Sequence, residues 1–170
     1  MVTTTLVQSM APVLGAEPKL LILGSMPGVA SLEAQRYYAH PRNLFWPLLA
    51  DILQFALCDD FAQRYQQLTS RGIALWDVLA HCERQGSLDS AIRKQSVLCN
   101  PIIELVQQHP SIQRICVNGG TAWTLLNKHQ PRLSNLVELV KLPSTSPAHA
   151  SVSRAEKRAA WQHGLRTSPV

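Results

Sequence analysis

Lys19-Leu20-Leu21-Ile22-Leu23-Gly24-Ser25-Met26-Pro27-Gly28 decides how the rest of the chain is read. Four consecutive apolar residues stop at a loop that begins and ends in glycine. A short apolar run bounded by turn residues is the pattern of a strand buried on both faces. Strand ends that open into such loops are where open α/β sheets hold ligands. Three further runs repeat the pattern. Ile73-Ala74-Leu75-Trp76-Asp77-Val78-Leu79 follows Gly72, Ile112 to Val117 ends at Asn118-Gly119-Gly120, and Leu136 to Leu142 ends at Pro143-Ser144-Thr145-Ser146-Pro147.

Helical stretches separate these runs. Asn43 to Leu53 carries Phe45, Leu48, Leu49, Ile52 and Leu53 at helical spacing, with Pro47 near its start. Phe61 to Leu68, Ser87 to Arg93 and Thr121 to His129 read as further helices. Asn100-Pro101 opens another in the order cap residue, then proline at the first helical position. Ser153-Arg154-Ala155-Glu156 is a capping box that starts a last helix. Alternating strands and helices predict an α/β fold: a single-domain three-layer α/β/α sandwich around a four-stranded parallel sheet. Parallel strands share one C-terminal edge, so the Gly24–Gly28 loop, Asp77, Asn118 and the Pro143–Pro147 loop are expected to converge. Residues 1–18 lack periodicity and are broken by Pro12 and Gly15, which sets them apart as an N-terminal extension of a domain over 19–170.

Composition narrows the function classes. At 170 residues the chain can bury one proper core. With 46% hydrophobic and 16% charged residues it is not a disordered chain. The net charge of +5 favours anionic partners such as nucleic acid. Cys58, Cys82, Cys99 and Cys116 form no CxxC pair, which speaks against a zinc or iron–sulfur site and for free thiols in a reducing compartment. No Lys or Arg precedes Lys19 and no apolar run reaches membrane-spanning length, so an intracellular protein without a membrane partner is expected.

The densest chemistry is Tyr37-Tyr38-Ala39-His40-Pro41-Arg42-Asn43-Leu44-Phe45-Trp46. Polar groups crowded among aromatics are costly to bury unless each finds a partner. Gly24-Ser25-Met26-Pro27-Gly28 is neither a GxSxG elbow, since its serine comes one place early, nor a P-loop, since no Gly-Lys-Ser/Thr follows. His81-Cys82 is a poor nucleophile pair, because neighbours on an extended chain point to opposite faces. Several residues carry two readings. Tyr38 is either a ring on which a base stacks or a core aromatic. Asn43 is either a helix cap or an amide that orients water or a base. Asp77, the one acid in its run, meets either the N–H edge of a base or protein donors. The hydroxyls and amides of Leu142 to Pro147 suit a DNA backbone or an ordinary turn.

Together the two loops resemble the uracil-DNA glycosylase superfamily. Tyr38-Ala39-His40-Pro41-Arg42-Asn43-Leu44-Phe45-Trp46 and Leu142-Pro143-Ser144-Thr145-Ser146-Pro147-Ala148 are most similar to its hypoxanthine-DNA glycosylase branch, and Trp76-Asp77-Val78-Leu79 and Gly86-Ser87-Leu88-Asp89 look like it too. The resemblance covers roughly residues 19–165. It implies hydrolysis of a damaged base from DNA. It matches Gly24, Ser25 and Met26 to the catalytic water loop, with Met26 where other branches carry Asp or Asn. It matches Asn43 to the important asparagine of the branch, Tyr38 to the stacking aromatic, and Asp77, or Trp76 one place earlier, to the base reader. Leu142 stands in place of a catalytic histidine, Ser144 matches a phosphate-contacting serine, and His149 stands where asparagine is expected.

The resulting expectation is a monofunctional glycosylase acting on hypoxanthine, with uracil or xanthine as further substrates. Catalysis falls to Asn43, Gly24, Ser25 and Met26; base binding to Tyr38, Asp77 and Trp76; DNA contact to Arg42, Lys141, Ser144, Thr145, Ser146 and His149. The expected partner is DNA containing a deaminated base, met by a monomer with no metal or cofactor. A catalytically weak nucleic-acid-binding module and a free-nucleoside hydrolase are the alternatives.

Overall fold

The computed structural model describes residues 5–166. The first four residues of the expected extension and the last four of the expected domain lie outside it. The chain runs through β1 (Leu6–Gln8), β2 (Leu20–Gly24), α1 (Val29–Ala34), α2 (Phe45–Leu53), α3 (Phe61–Thr69), β3 (Ile73–Asp77), β4 (Leu79–Glu83), β5 (Leu98–Cys99), α4 (Ile102–Gln108), β6 (Arg114–Asn118), α5 (Gly120–His129), β7 (Glu138–Leu142) and α6 (Arg154–Gly164).

The four apolar runs form one parallel sheet in the order β3-β2-β6-β7. Every residue of β2 and β3 is buried. Successive side chains on a strand point to opposite faces, so both faces of the sheet are covered, here by helices. Leu21, Ile22, Leu23, Leu75, Ile115 and Val117 form the centre of the core. The register aligns Gly24 with Asp77 and Asn118 with Leu142, which sets the strand ends along one edge. Ser153 and Glu156 make the reciprocal capping box that opens α6.

Four local expectations are corrected. The run from Ile73 to Leu79 is not one strand: β3 stops at Asp77, where the N–H groups of Val78 and Leu79 donate to the carbonyls of Gly24 and Ser25. The chain then enters a second, antiparallel sheet ordered β1-β4-β5. Both strands bury their apolar side chains, so hydropathy shows no seam between them. Asn100 does not cap α4, whose cap is Pro101. Its amide instead donates to the carbonyls of Asp77 and Leu79 at 2.9 and 3.1 Å, fixing the corner where the chain changes sheets. Ser87 to Arg93 holds only a single 3₁₀ turn, Asp89–Ala91, because its polar side chains bond elsewhere. Finally, the segment before Lys19 is woven into the domain. β1 pairs with β4, Val13 bridges to Leu75, and the Ala11 carbonyl accepts from the Tyr37 hydroxyl.

Candidate active site

The C-terminal edge of the parallel sheet opens into a cavity of about 930 Å³. Gly24 to Gly28, Asp77, Asn118 and Ser144 to Pro147 all line it, joined by Tyr38, His40, Arg42, Asn43, Lys141 and His149. The expected convergence of strand ends is therefore present.

At the floor lies Asp77, only 3% exposed. Its Oδ2 has no hydrogen-bond partner among the described residues. Burial, reinforced by the nearby Asp89 carboxylate and opposed by Arg84, pushes its carboxyl up to about 7. Gly24 makes room for it: a Cβ there would sit 2.7 Å from Asp77 Oδ1 and 3.2 Å from the Tyr38 hydroxyl. That distance is a clash, so glycine is required by the approach of the carboxylate.

Tyr38 adopts a left-handed backbone conformation, φ +56°, uncommon for a bulky residue. The Ala39 N–H that follows donates to Ser31 Oγ. Its ring stacks on Phe45 with centroids 3.8 Å apart and planes at 15°. The Tyr38 hydroxyl accepts from Asn118 Nδ2 at 3.2 Å. Burial, reinforced by Asp77, raises that hydroxyl above its ordinary value, so the ring stays neutral. Tyr37, by contrast, is a core aromatic, buried and edge-on to Tyr65.

Asn43 is not the cap of α2, which is Leu44. The Asn43 Oδ1 accepts the Phe45 N–H at 2.9 Å, a turn two residues long that leads into α2. The residue also lines the cavity, where its Nδ2 has no partner among the described residues. Of the two ends of a carboxamide only the oxygen accepts, so the amide orientation is fixed and its NH₂ group is the free donor.

The two loops are anchored differently. In the Ser144–Ser146 segment, Asn118 Oδ1 accepts from Thr145 N–H and Asn118 Nδ2 donates to Thr145 Oγ1, both at 3.0 Å. The Thr145 carbonyl accepts from Leu44 N–H, tying this loop to α2. Lys157, itself buried, donates to the His149 carbonyl and closes the far end. The Gly24–Gly28 loop is instead held from outside. Arg84, 1% exposed, donates to the carbonyls of Met26 and Pro27. Ser87 Oγ accepts from Val29 N–H, and Asp89 Oδ1 accepts from Ser25 Oγ at 2.6 Å.

Comparison with known proteins agrees with this geometry. The family model described as the uracil DNA glycosylase superfamily matches residues 11–164. The chain belongs to that superfamily. It is 32% identical over 156 residues to a protein of Methanosarcina acetivorans named hypoxanthine DNA glycosylase, covering 91% of this chain and 94% of the relative. A protein of the same name from Methanosarcina barkeri is 28% identical over 160 residues, covering 94% and 98%. The solution NMR structure of a provisionally assigned uracil DNA glycosylase from Methanosarcina acetivorans superposes with a TM-score of 0.78 at 30% identity, covering 94% of this chain and 96% of that one.

Within this superfamily site one expected residue is misplaced. Trp76 does not line the cavity: its indole Nε1 donates to the Met10 carbonyl, so of the two candidate base readers only Asp77 faces the site. Thr145, although part of the cavity wall, is fully buried, and both its N–H and its hydroxyl are bound to Asn118. Met26 is buried among apolar neighbours, as a thioether would be. Arg42 and Lys141 are exposed at the rim, and Ser144 and Ser146 are half-buried.

Three residues escaped assignment from sequence. Asn118 was visible only as part of an Asn-Gly-Gly strand end. Asp89 sat in a stretch read as helix. Arg84 carries no local signal at all, since its partners lie 57 and 58 residues away. Among the described residues no three His, Cys, Asp or Glu side chains form a cluster that could hold a metal ion.

Proposed function

We propose that this superfamily member is a monofunctional DNA glycosylase that hydrolyses the N-glycosidic bond of deaminated bases in DNA, hypoxanthine first. One observation carries the reading: a stacking ring, a buried carboxyl without a partner and a free carboxamide donor face one cavity whose rim bears Arg42 and Lys141. The names of the two relatives support the choice of base.

The reaction begins with extrusion of the base, at a cost of a few kcal/mol that falls when the base is mispaired. Phe45 covers one face of the Tyr38 ring, and the flipped base stacks on the other. Such stacking is worth about 1–3 kcal/mol. Ionised Asp77 accepts the N1–H of hypoxanthine or the N3–H of uracil. Adenine N1 is itself an acceptor and would meet the carboxylate lone pairs. The C1′–N bond then breaks toward an oxocarbenium-like sugar, and the base departs with the electron pair. Asn43 Nδ2 donates to that developing charge, held in place by the hydrogen bond from Phe45 N–H that occupies its oxygen. Arg42, Lys141, Ser144 and Ser146 contact phosphates, and a steep salt dependence of DNA binding follows from them. No helix among the described residues is long and apolar enough to cross a membrane.

The test is a duplex carrying a single deoxyinosine beside free deoxyinosine. Release of hypoxanthine from the duplex alone, leaving an unbroken strand with an abasic site, is expected. Duplex binding without base release would leave only a binding module. Equal cleavage of the free nucleoside would make the protein a nucleoside hydrolase. Duplexes carrying uracil and xanthine rank the substrates.

A further inference from the structure

The proposed hydrolysis leaves the attacking water without an acceptor. Met26 has no acidic group, and the Asn43 oxygen is committed to Phe45 N–H. Asp77 lies at the buried floor, where its carboxyl is taken up by the base edge. Of the acidic residues lining the cavity, that leaves Asp89. It is exposed rather than buried, and it opens a 3₁₀ turn whose Asp89 and Ser90 line the cavity. Its Oδ1 accepts from Ser25 Oγ at 2.6 Å, which fixes the carboxylate beside the residue preceding Met26. Ser87 and Arg84 brace the same short segment against the Gly24–Gly28 loop. An independent sign of a ligand site is the partnerless Asp77 Oδ2 in the same cavity.

We propose that Asp89 is a catalytic residue of the glycosylase reaction, holding the attacking water and accepting its proton. The inference rests on the reading given under Proposed function. The bookkeeping is that of a hydrolysis: the C1′–N bond breaks with its electron pair leaving on the base, and the water oxygen bonds to C1′. One water proton passes to the Asp89 carboxylate, and the base anion is protonated on release. The carboxylate that other branches carry at the Met26 position is thus supplied from a segment more than sixty residues further along, the Ser25–Asp89 separation being 64.

Asp89→Asn separates chemistry from architecture, since its amide oxygen still accepts from Ser25 Oγ while base and charge are lost. Single-turnover excision from the deoxyinosine duplex is expected to fall at least ~100-fold, within the range for loss of a general base. Duplex affinity and thermal unfolding should stay close to wild type. Asp89→Glu should recover part of the rate, and added formate should restore excision to Asp89→Ala. Excision by Asp89→Asn within a few-fold of wild type would overturn the proposal, as would a lack of formate rescue in a folded Asp89→Ala. Should Asp89→Asn not fold, the formate experiment decides. Failure of the wild type to release hypoxanthine would instead bring down the underlying reading, so the two failures are told apart by the wild-type lane.

Discussion

The two loops that face each other across the cavity are held by opposite means. The Ser144–Ser146 loop is fastened by Asn118, from the neighbouring strand of the same parallel sheet, and its central residue is completely buried. The Gly24–Gly28 loop makes its side-chain ties to Arg84, Ser87 and Asp89, none of which belongs to that sheet. One wall inherits the rigidity of the sheet. The other is tied to the β3–β4 junction by backbone bonds only at Gly24 and Ser25, and beyond them depends on side chains from a segment with almost no regular structure. Charge follows the same division, because both cavity carboxyls lie on the Gly24–Gly28 side and Asn118 on the other side is neutral.

The largest expected effect tests where charge is stored. The Asp77 carboxyl is pushed up from 3.8 to about 7, so the folded state holds its proton more tightly than the unfolded state does. Stability from this group is fully present below about pH 4 and is lost as pH rises through about 7, amounting to about 4 kcal/mol. Asp77→Asn removes that loss. Its stability relative to wild type should therefore grow by this amount between pH 4 and pH 8 in denaturant titrations. A difference that stays flat with pH would mean that Asp77 is solvated or paired. Asp77→Ala tests the base-reading role directly: adenine should become a better competitor, and full discrimination in that variant would reject the role.

Arg84→Ala comes next. It leaves the Met26 and Pro27 carbonyls without their buried donor and opens a void, a loss of about 3 kcal/mol. Excision should fall with stability, because the loop loses its brace. Unchanged excision would show that the Gly24–Gly28 wall holds itself, and the contrast between the loops would disappear.

Asn43→Ala, where α2 meets the opposite loop, should lower single-turnover excision by about 100-fold, the scale of one oriented donor, or roughly 2.7 kcal/mol. Near-normal single-turnover rates in that variant would leave Asn43 with only its turn contact to Phe45.

The smallest effect belongs to Asn118→Ala, at about 2 kcal/mol of stability for a nearly buried amide bonded to Thr145 and Tyr38. If this variant loses more excision than Arg84→Ala does, the sheet-held wall is the more consequential of the two.

What could be read from sequence follows the same division. Four apolar runs and the helices between them announced the parallel sheet, and the Gly-, Asn- and Pro-rich strand ends announced its ligand edge. Asp77 was conspicuous as a lone acid in an apolar run. The sheet change at Val78 was not legible, because both sheets bury their apolar residues and leave no break in hydropathy. β1 was missed because three residues of half-exposed strand carry no periodicity. Trp76 could not be separated from Asp77, since a shift of one residue reverses the face and only the register decides it. Asp89 stood inside a segment that resembles the family but was given no role, and Arg84 carried no signal, because their hydrogen-bond partners lie 57 to 64 residues away.

The Tyr38–Phe45 stack has a practical consequence. Phe45 lies edge-on to two buried indoles, Trp46 at 5.0 Å and Trp161 at 6.0 Å. On the proposed reading, a base stacked on Tyr38 would adjoin a column of rings that ends against both fluorophores. The protein thus carries an optical reporter of its own, in which site occupancy can be followed as a change in tryptophan emission without any label on enzyme or DNA.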